Sequence, residues 1–188
     1  MKAELIQNRI IVWNISDSKK LFSNGYFGKP IGISKPKPND IDVPLILDLI
    51  EGYYLQLKSK IQIYKNKKKI SKNTMLDVCK GEYHNFDKKF QVYKNFRDKG
   101  YIVSPGIKFG CDFAVYQKGP GIDHAPYLVQ VYNRSENMSS TDVVLAGRLA
   151  TSVKKQFILA IPYGKERVDY LALDWWNCLL YTSDAADE

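Results

Sequence analysis

Histidine is almost missing from this chain, with two in 188 residues, His84 and His124. Neither sits in an HxxxH spacing, and the sequence has no CxxC pair, so the usual zinc arrangements are excluded. The carboxylates of the second half are scattered singly: Asp112, Asp123, Glu136, Asp142, Glu166, Asp169 and Asp174. A two-metal nuclease needs several of them converging on one point. Asp112 with Gln130 hints at a restriction-nuclease-like metal site, but the lysine such a site needs near Gln130 is absent. No metal and no cofactor is therefore expected. The three cysteines, Cys79, Cys111 and Cys178, show no framework spacing, so a reducing, cytoplasmic setting is expected. No stretch approaches the ~18 apolar residues that cross a bilayer. The N-terminal stretch carries Glu4 and Arg9 within its apolar run and has no small-residue cleavage site, so it does not read as a signal peptide.

Acidic residues are also in the minority, 20 against 28 Lys and Arg, for a formal charge of +8 and a pI near 9.2. Such a balance suits a polyanionic partner, although a Lys-rich proteome produces the same bias. Hydrophobic residues reach 45%, enough for real cores, and the length suits one large domain or two small ones. The final stretch, CLLYTSDAADE, matches the translation of a transposase sequencing adapter. Residues 177–188 are thus expected to be a non-native tail and are excluded from fold reasoning.

Along the chain, 4–13 read as a strand or hairpin and Asp17 to Ser23 as a short helix. The Pro/Gly-rich GKPIGISKPKPND is a connection. Asp42, Val43 and Pro44 predict a helix start, continued by Ile46, Leu47, Ile50, Tyr53, Tyr54 and Leu57 at helical spacing. IQIY and Ile70 flank the basic turn KNKKK, where direct RNA contact competes with a simple solvated turn. A short helix over 74–80 and an amphipathic helix over 86–99 follow, with Gly100 as its C-cap.

In 107–115 Ile, Phe, Cys, Phe and Val alternate with Lys, Gly, Asp and Ala, predicting one long strand. HAPYLVQVY, FILAIP and VDYLALDWW read as further strands. Ser139, Ser140 and Thr141 can cap a helix running to about Lys155. The fold class is α+β. A mixed α/β domain over 1–85 is followed by a second domain over 86–176, with a mixed sheet and packed helices.

On pattern alone each candidate residue has an ordinary reading too. A lone His124 is more often structural, and with 13 Tyr in the chain Tyr116 is first a packing residue. Tyr116 does point away from the row of Phe113 and Val115. Arg148, Ser152 and Lys155, at i, i+4 and i+7, share one face of the expected helix.

Taken in order, LFSNGYFGKP, EGYYLQLKSKIQI, FRDKGYIVSPGIKFGCDFAVY, DHAPYLVQV, RLATSVKKQFILAI and YLALDWW resemble the archaeal tRNA-splicing endonuclease (tRNA-intron lyase) family. The resemblance spans most of 5–176. It implies a restriction-endonuclease-like catalytic domain with a Tyr/His/Lys triad on Tyr116, His124 and Lys155, the last at the lysine of the SVKK motif. It also implies that Arg148 stacks on a bulged base. The QKGPGID loop is slightly shorter than in the family. The implied substrate is precursor tRNA, cut without metal at bulge–helix–bulge junctions. The products would carry 2′,3′-cyclic phosphate and 5′-hydroxyl ends. The expected partner is a second copy (dimer or tetramer) or a related subunit, with no membrane. The rival expectation is a noncatalytic, RNA-binding structural subunit, which the filled triad positions disfavour.

Overall fold

The computed structural model describes residues 1–34, 36–37, 41–120, 127–135, 137–141, 144, 147–148 and 155–173. It contains two mixed sheets joined by helices. The first half opens with β1 (Lys2–Ile6) and β2 (Arg9–Val12), an antiparallel hairpin. Helix α1 (Ile15–Ser23) is capped by Asn14, whose side chain accepts from the Asp17 N–H. Then come β3 (Lys29–Pro30), β4 (Leu45–Leu47), α2 (Leu49–Leu57), β5 (Gln62–Lys65), β6 (Lys68–Lys69) and α3 (Lys72–Glu82). The first sheet runs in the order β3-β4-β2-β1-β5-β6.

Helix α4 (Phe86–Asp98) leads into the second sheet. Its strands are β7 (Ile102–Pro105), β8 (Phe113–Tyr116), β9 (Tyr127–Val131), β10 (Gln156–Tyr163) and β11 (Arg167–Leu173). They lie in reverse chain order, all antiparallel except the parallel β9–β10 pair. Residues 140, 141, 144, 147 and 148 are helical. Among the described residues no helix is long and apolar enough to cross a membrane.

Two expectations fail locally, for identifiable reasons. The helix expected from Asp42 begins only at Leu49. Leu45 and Leu47 instead pair with Val12 and Ile10 and are fully buried. Asp48 is the cap: its side chain accepts from the Ile50 N–H while Glu51 reaches back to the Asp48 N–H, a complete capping box. The long strand over 107–115 is also interrupted. Residues Ile107–Phe109 form a 3-10 turn and Ile107 is 84% exposed. Gly110 closes this turn at φ +69, and a Cβ on Gly106 would lie 2.5 Å from the Cys111 sulfur. Glycine is required at 106 by the close approach and favoured at 110 by the left-handed backbone, and the turn breaks the alternation.

Helix α4 joins the halves. Phe86, Tyr93 and Phe96 are buried, and Phe90 packs beside them, as the periodicity predicts. Their rings meet Tyr53 and Tyr54 of α2 on one side and Phe113 of β8 on the other. One apolar cluster therefore runs from β1 to β10 through α4. A second, smaller cluster covers the far face of the second sheet: Cys111, Ala114, Leu128, Phe157 and Leu159.

The least obvious tie is Arg97. Its side chain is 3% exposed. It donates to the Gly25 carbonyl at 2.7 Å, the Val103 carbonyl at 2.9 Å and the Tyr93 hydroxyl at 3.0 Å. The guanidinium lies 4.1 Å from the centre of the Phe27 ring and 3.8 Å from Glu51 Oε1. Burial raises the Glu51 carboxyl above its ordinary value, opposed by Arg97 and by the Asp48 and Gly28 N–H groups. One side chain thus joins α1's exit, α2, α4 and β7.

Candidate active site

The site is built on one end of the second sheet. Val115 on β8 pairs with Tyr127 on β9, and Tyr127 with Gln156 on β10, making a single cross-strand row. Tyr116 and Lys155 each lie one residue beyond that row, in the same direction. Their backbones are two strands apart, roughly 10 Å at ~4.8 Å per strand.

Both side chains engage the same face. Tyr116 packs half-buried against the second apolar cluster, as does Phe109. The Lys155 ammonium lies 5.5 Å from the centre of the Phe109 ring. Phe113 and Val115 face the opposite way, into the α4 side. The pattern-based orientation of Tyr116, away from that row, is therefore what the strand adopts. A phenol and an ammonium on one face of a sheet end can both address a single phosphate lodged between them.

His124 falls in the connection from Tyr116 to Tyr127, which leaves and re-enters the sheet at this same end; its own position lies outside the described residues. The start of that connection is anchored from the other half of the molecule. Gly119 is buried at φ +129, and a Cβ there would sit 2.6 Å from Tyr26 Cε2. Tyr26 itself holds φ +52, an uncommon backbone state for an aromatic residue, and its ring packs edge-on to Phe22. In the sequence only the GPG triplet at 119–121 marks this contact.

Arg148 is helical and exposed. Lys155 is not helical: it immediately precedes β10. The expected single helix face carrying both is therefore not formed at Lys155, because the strand pairing of Gln156 with Tyr127 takes the backbone there. Ser152 lies outside the described residues.

Asp112 has a structural use. It accepts from the Val131 N–H at 2.8 Å and pairs with Lys89 at 2.7 Å, tying α4 to β8 and β9. His84 follows α3 in the first half of the chain. The Cys79 and Cys111 thiols are both buried and pushed up, to about 12 and about 11, chiefly by desolvation. Neither is an activated nucleophile.

Comparison with known proteins agrees with this architecture. Residues 1–76 match the family model of the tRNA intron endonuclease N-terminal domain, and 86–170 that of its catalytic C-terminal domain. Over 177 residues the chain is 40% identical to a protein of Sulfurisphaera tokodaii named tRNA-splicing endonuclease, covering 93% of this chain and 98% of that protein. A protein of the same name from Hyperthermus butylicus is 37% identical, with the same coverage of both chains. One from Saccharolobus solfataricus is 40% identical over 178 residues, 93% of this chain and 98% of that protein. The chain belongs to the tRNA intron endonuclease family.

Proposed function

We propose that this chain excises introns from precursor tRNA by cutting bulge–helix–bulge junctions, with Tyr116, His124 and Lys155 as the catalytic residues. The observation that carries the reading is the common row and common face of Tyr116 and Lys155, at the sheet end where the His124 connection departs. Family membership supports the substrate.

The chemistry suits these groups. Tyr116 is the general base that takes the proton of the ribose 2′-hydroxyl. The 2′-oxygen attacks the adjacent phosphorus, and the bond from phosphorus to the 5′-oxygen breaks. His124 gives its proton to the departing oxygen; an unperturbed imidazole titrates near 6.5, well placed for that task. The Lys155 ammonium faces the nonbridging oxygens, where negative charge accumulates. The ends are a 2′,3′-cyclic phosphate and a 5′-hydroxyl, and the step needs no metal or cofactor. Arg148 serves a separate purpose, stacking its planar guanidinium on an unpaired base of the bulge.

An intron has two boundaries, so at least two active chains or a related subunit are required. Strand β11 closes the second sheet, and its exposed face includes Leu171, 53% accessible. That edge is the proposed contact between copies. Residues 1–85 are assigned to assembly and substrate support, 86–176 to cleavage, and the enzyme to the cytoplasm. Residues 177–188, the proposed non-native tail, lie outside the described residues.

The test is cleavage of a bulge–helix–bulge RNA in EDTA, with the product ends analysed. Cyclic phosphate and 5′-hydroxyl ends are expected. Products bearing 5′-phosphate, a strict need for Mg²⁺, or binding without any cleavage would overturn the reading. The last outcome would mark a noncatalytic subunit.

A further inference from the structure

The first sheet ends in a ribbon of unneutralised positive charge. Lys65, Lys67, Lys68 and Lys69 are all exposed on β5, β6 and the turn between them. Lys60 and Lys72, just before and just after, are exposed as well. Several cations elsewhere are paired: Lys58 and Lys94 with Asp98, Lys80 with Asp87, and Lys89 with Asp112. Among the described residues the ribbon lysines make no ion pair. Four like charges within five residues of two paired strands repel one another.

The turn adds a second observation. Asn66 and Lys67 adopt φ +50 and +64, the left-handed pair that a two-residue hairpin needs. Asn followed by Gly is the residue pair best suited to this geometry. A lysine in place of the glycine accepts backbone strain at the ribbon's tip and puts a cation there.

The ribbon is placed to meet a polyanion beyond the cleavage site. Gly119, at the start of the His124 connection, touches Tyr26. The next residue, Phe27, lies under the Lys60 ammonium at 6.0 Å. From Lys60 the chain runs out along β5 to the turn, roughly 20 Å at ~3.3 Å per residue. The outer face of the ribbon also offers a ring: Tyr64 sits opposite Lys69, with the Lys2 ammonium 5.9 Å from its centre. Glu4, opposite Tyr64 on β1, is held by the Trp13 indole N–H at 3.0 Å. Lysines spaced along an extended strand, with an aromatic face among them, fit the sugar–phosphate backbone of RNA.

We infer that the β5–β6 ribbon is a sequence-independent docking surface for the phosphate backbone of the precursor RNA, outside the junction that is cut. The inference rests on the RNA-cleaving reading above. Each phosphate contact contributes about 0.7–0.9 to the slope of log affinity against log salt. Four lysines then contribute a slope of roughly 3, and their loss weakens binding on the order of tenfold or more at moderate salt.

The experiment compares the full chain with a variant carrying Lys65→Gln, Lys67→Gly, Lys68→Gln and Lys69→Gln. Glycine at 67 suits the turn, so the ribbon keeps its shape. A second variant, Lys65→Arg, Lys68→Arg and Lys69→Arg, keeps the charge. Each is assayed on a complete precursor and on a minimal bulge–helix–bulge duplex. Expected for the Gln/Gly variant on the precursor are a KM raised about tenfold, a salt slope lowered by roughly 3 and an unchanged single-turnover rate at saturation. On the minimal duplex it matches the parent, and the Arg variant matches the parent on both. A parent that cleaves neither RNA overturns the reading of function. A parent that cleaves, with a Gln/Gly variant indistinguishable in KM and slope, overturns the ribbon. An equal loss on the minimal duplex overturns its placement outside the junction.

Discussion

Replacing Arg97 with Met tests whether one buried cation holds the two halves together. Methionine keeps much of the apolar contact with Phe27 and Tyr93 but removes every donor. The Gly25 and Val103 carbonyls and the Tyr93 hydroxyl lose their partner. Glu51, 7% exposed, loses its facing charge. Breaking a buried pair from one side costs about 3–5 kcal/mol. Orphaned carbonyls add ~1–3 kcal/mol each where no water reaches them. Proton uptake by Glu51 caps the total, so a net loss of roughly 4 kcal/mol is expected. At ~2–4 °C per kcal/mol for a chain this long, Tm falls on the order of 10 °C.

The loss carries a pH signature. Burial already raises the Glu51 carboxyl, and Arg97 is what opposes it. Without Arg97 the carboxyl rises further. A carboxyl raised in the folded state is destabilising once the pH exceeds its unfolded value, and neutral below it. The deficit of Arg97→Met is therefore largest at neutral pH and shrinks as the pH falls toward about 4.5, the ordinary carboxylate value. Urea unfolding of parent and variant between pH 4 and 8 measures this. A deficit below ~1 kcal/mol, or one independent of pH, refutes the reasoning.

Three further outcomes are expected. Gly119→Ala puts a methyl into the Tyr26 ring at an unfavourable φ, so it should destabilise by roughly 2–3 kcal/mol and slow cleavage by displacing the His124 connection. Adding Tyr26→Ala should restore part of the rate, and a double variant slower than Gly119→Ala would count against the contact. Asp98, despite the desolvation that would raise it, is held at about 2 by hydrogen bonds with Lys58, Lys94 and Tyr54. A depressed carboxyl stabilises above its unfolded value near 3.8 and stops doing so as the pH falls toward about 2. Asp98→Asn should flatten that part of the acid unfolding curve, and an unaltered curve would show that the triad of donors is not coupled to folding. Lys155→Ala should slow single-turnover cleavage at least a hundredfold with RNA affinity nearly kept, in line with ~2.7–4 kcal/mol for a lost transition-state contact. Arg148→Ala should instead impair bulged substrates far more than general RNA binding, and equal effects of the two changes would defeat the division of roles.

The amino-acid sequence by itself carried the family, the two-part α+β organisation and the amphipathic α4, because ordered motifs and a 3.6-residue period are local properties. It also carried the orientation of Tyr116, since alternation on a strand depends only on neighbouring residues. Pairing between distant segments decided the rest. Leu45 and Leu47 look helical beside Ile46 and Ile50, yet their partners on β2 make them a strand. Lys155 looks like the end of a helix, yet the register of β10 with β9 makes it the lip of a sheet, one step beyond the same row as Tyr116. Arg97 reads as one more cation on a basic helix. Only the approach of Gly25, Glu51 and Val103 from other elements turns it into a buried tie, because no local pattern records which carbonyls will lack a donor.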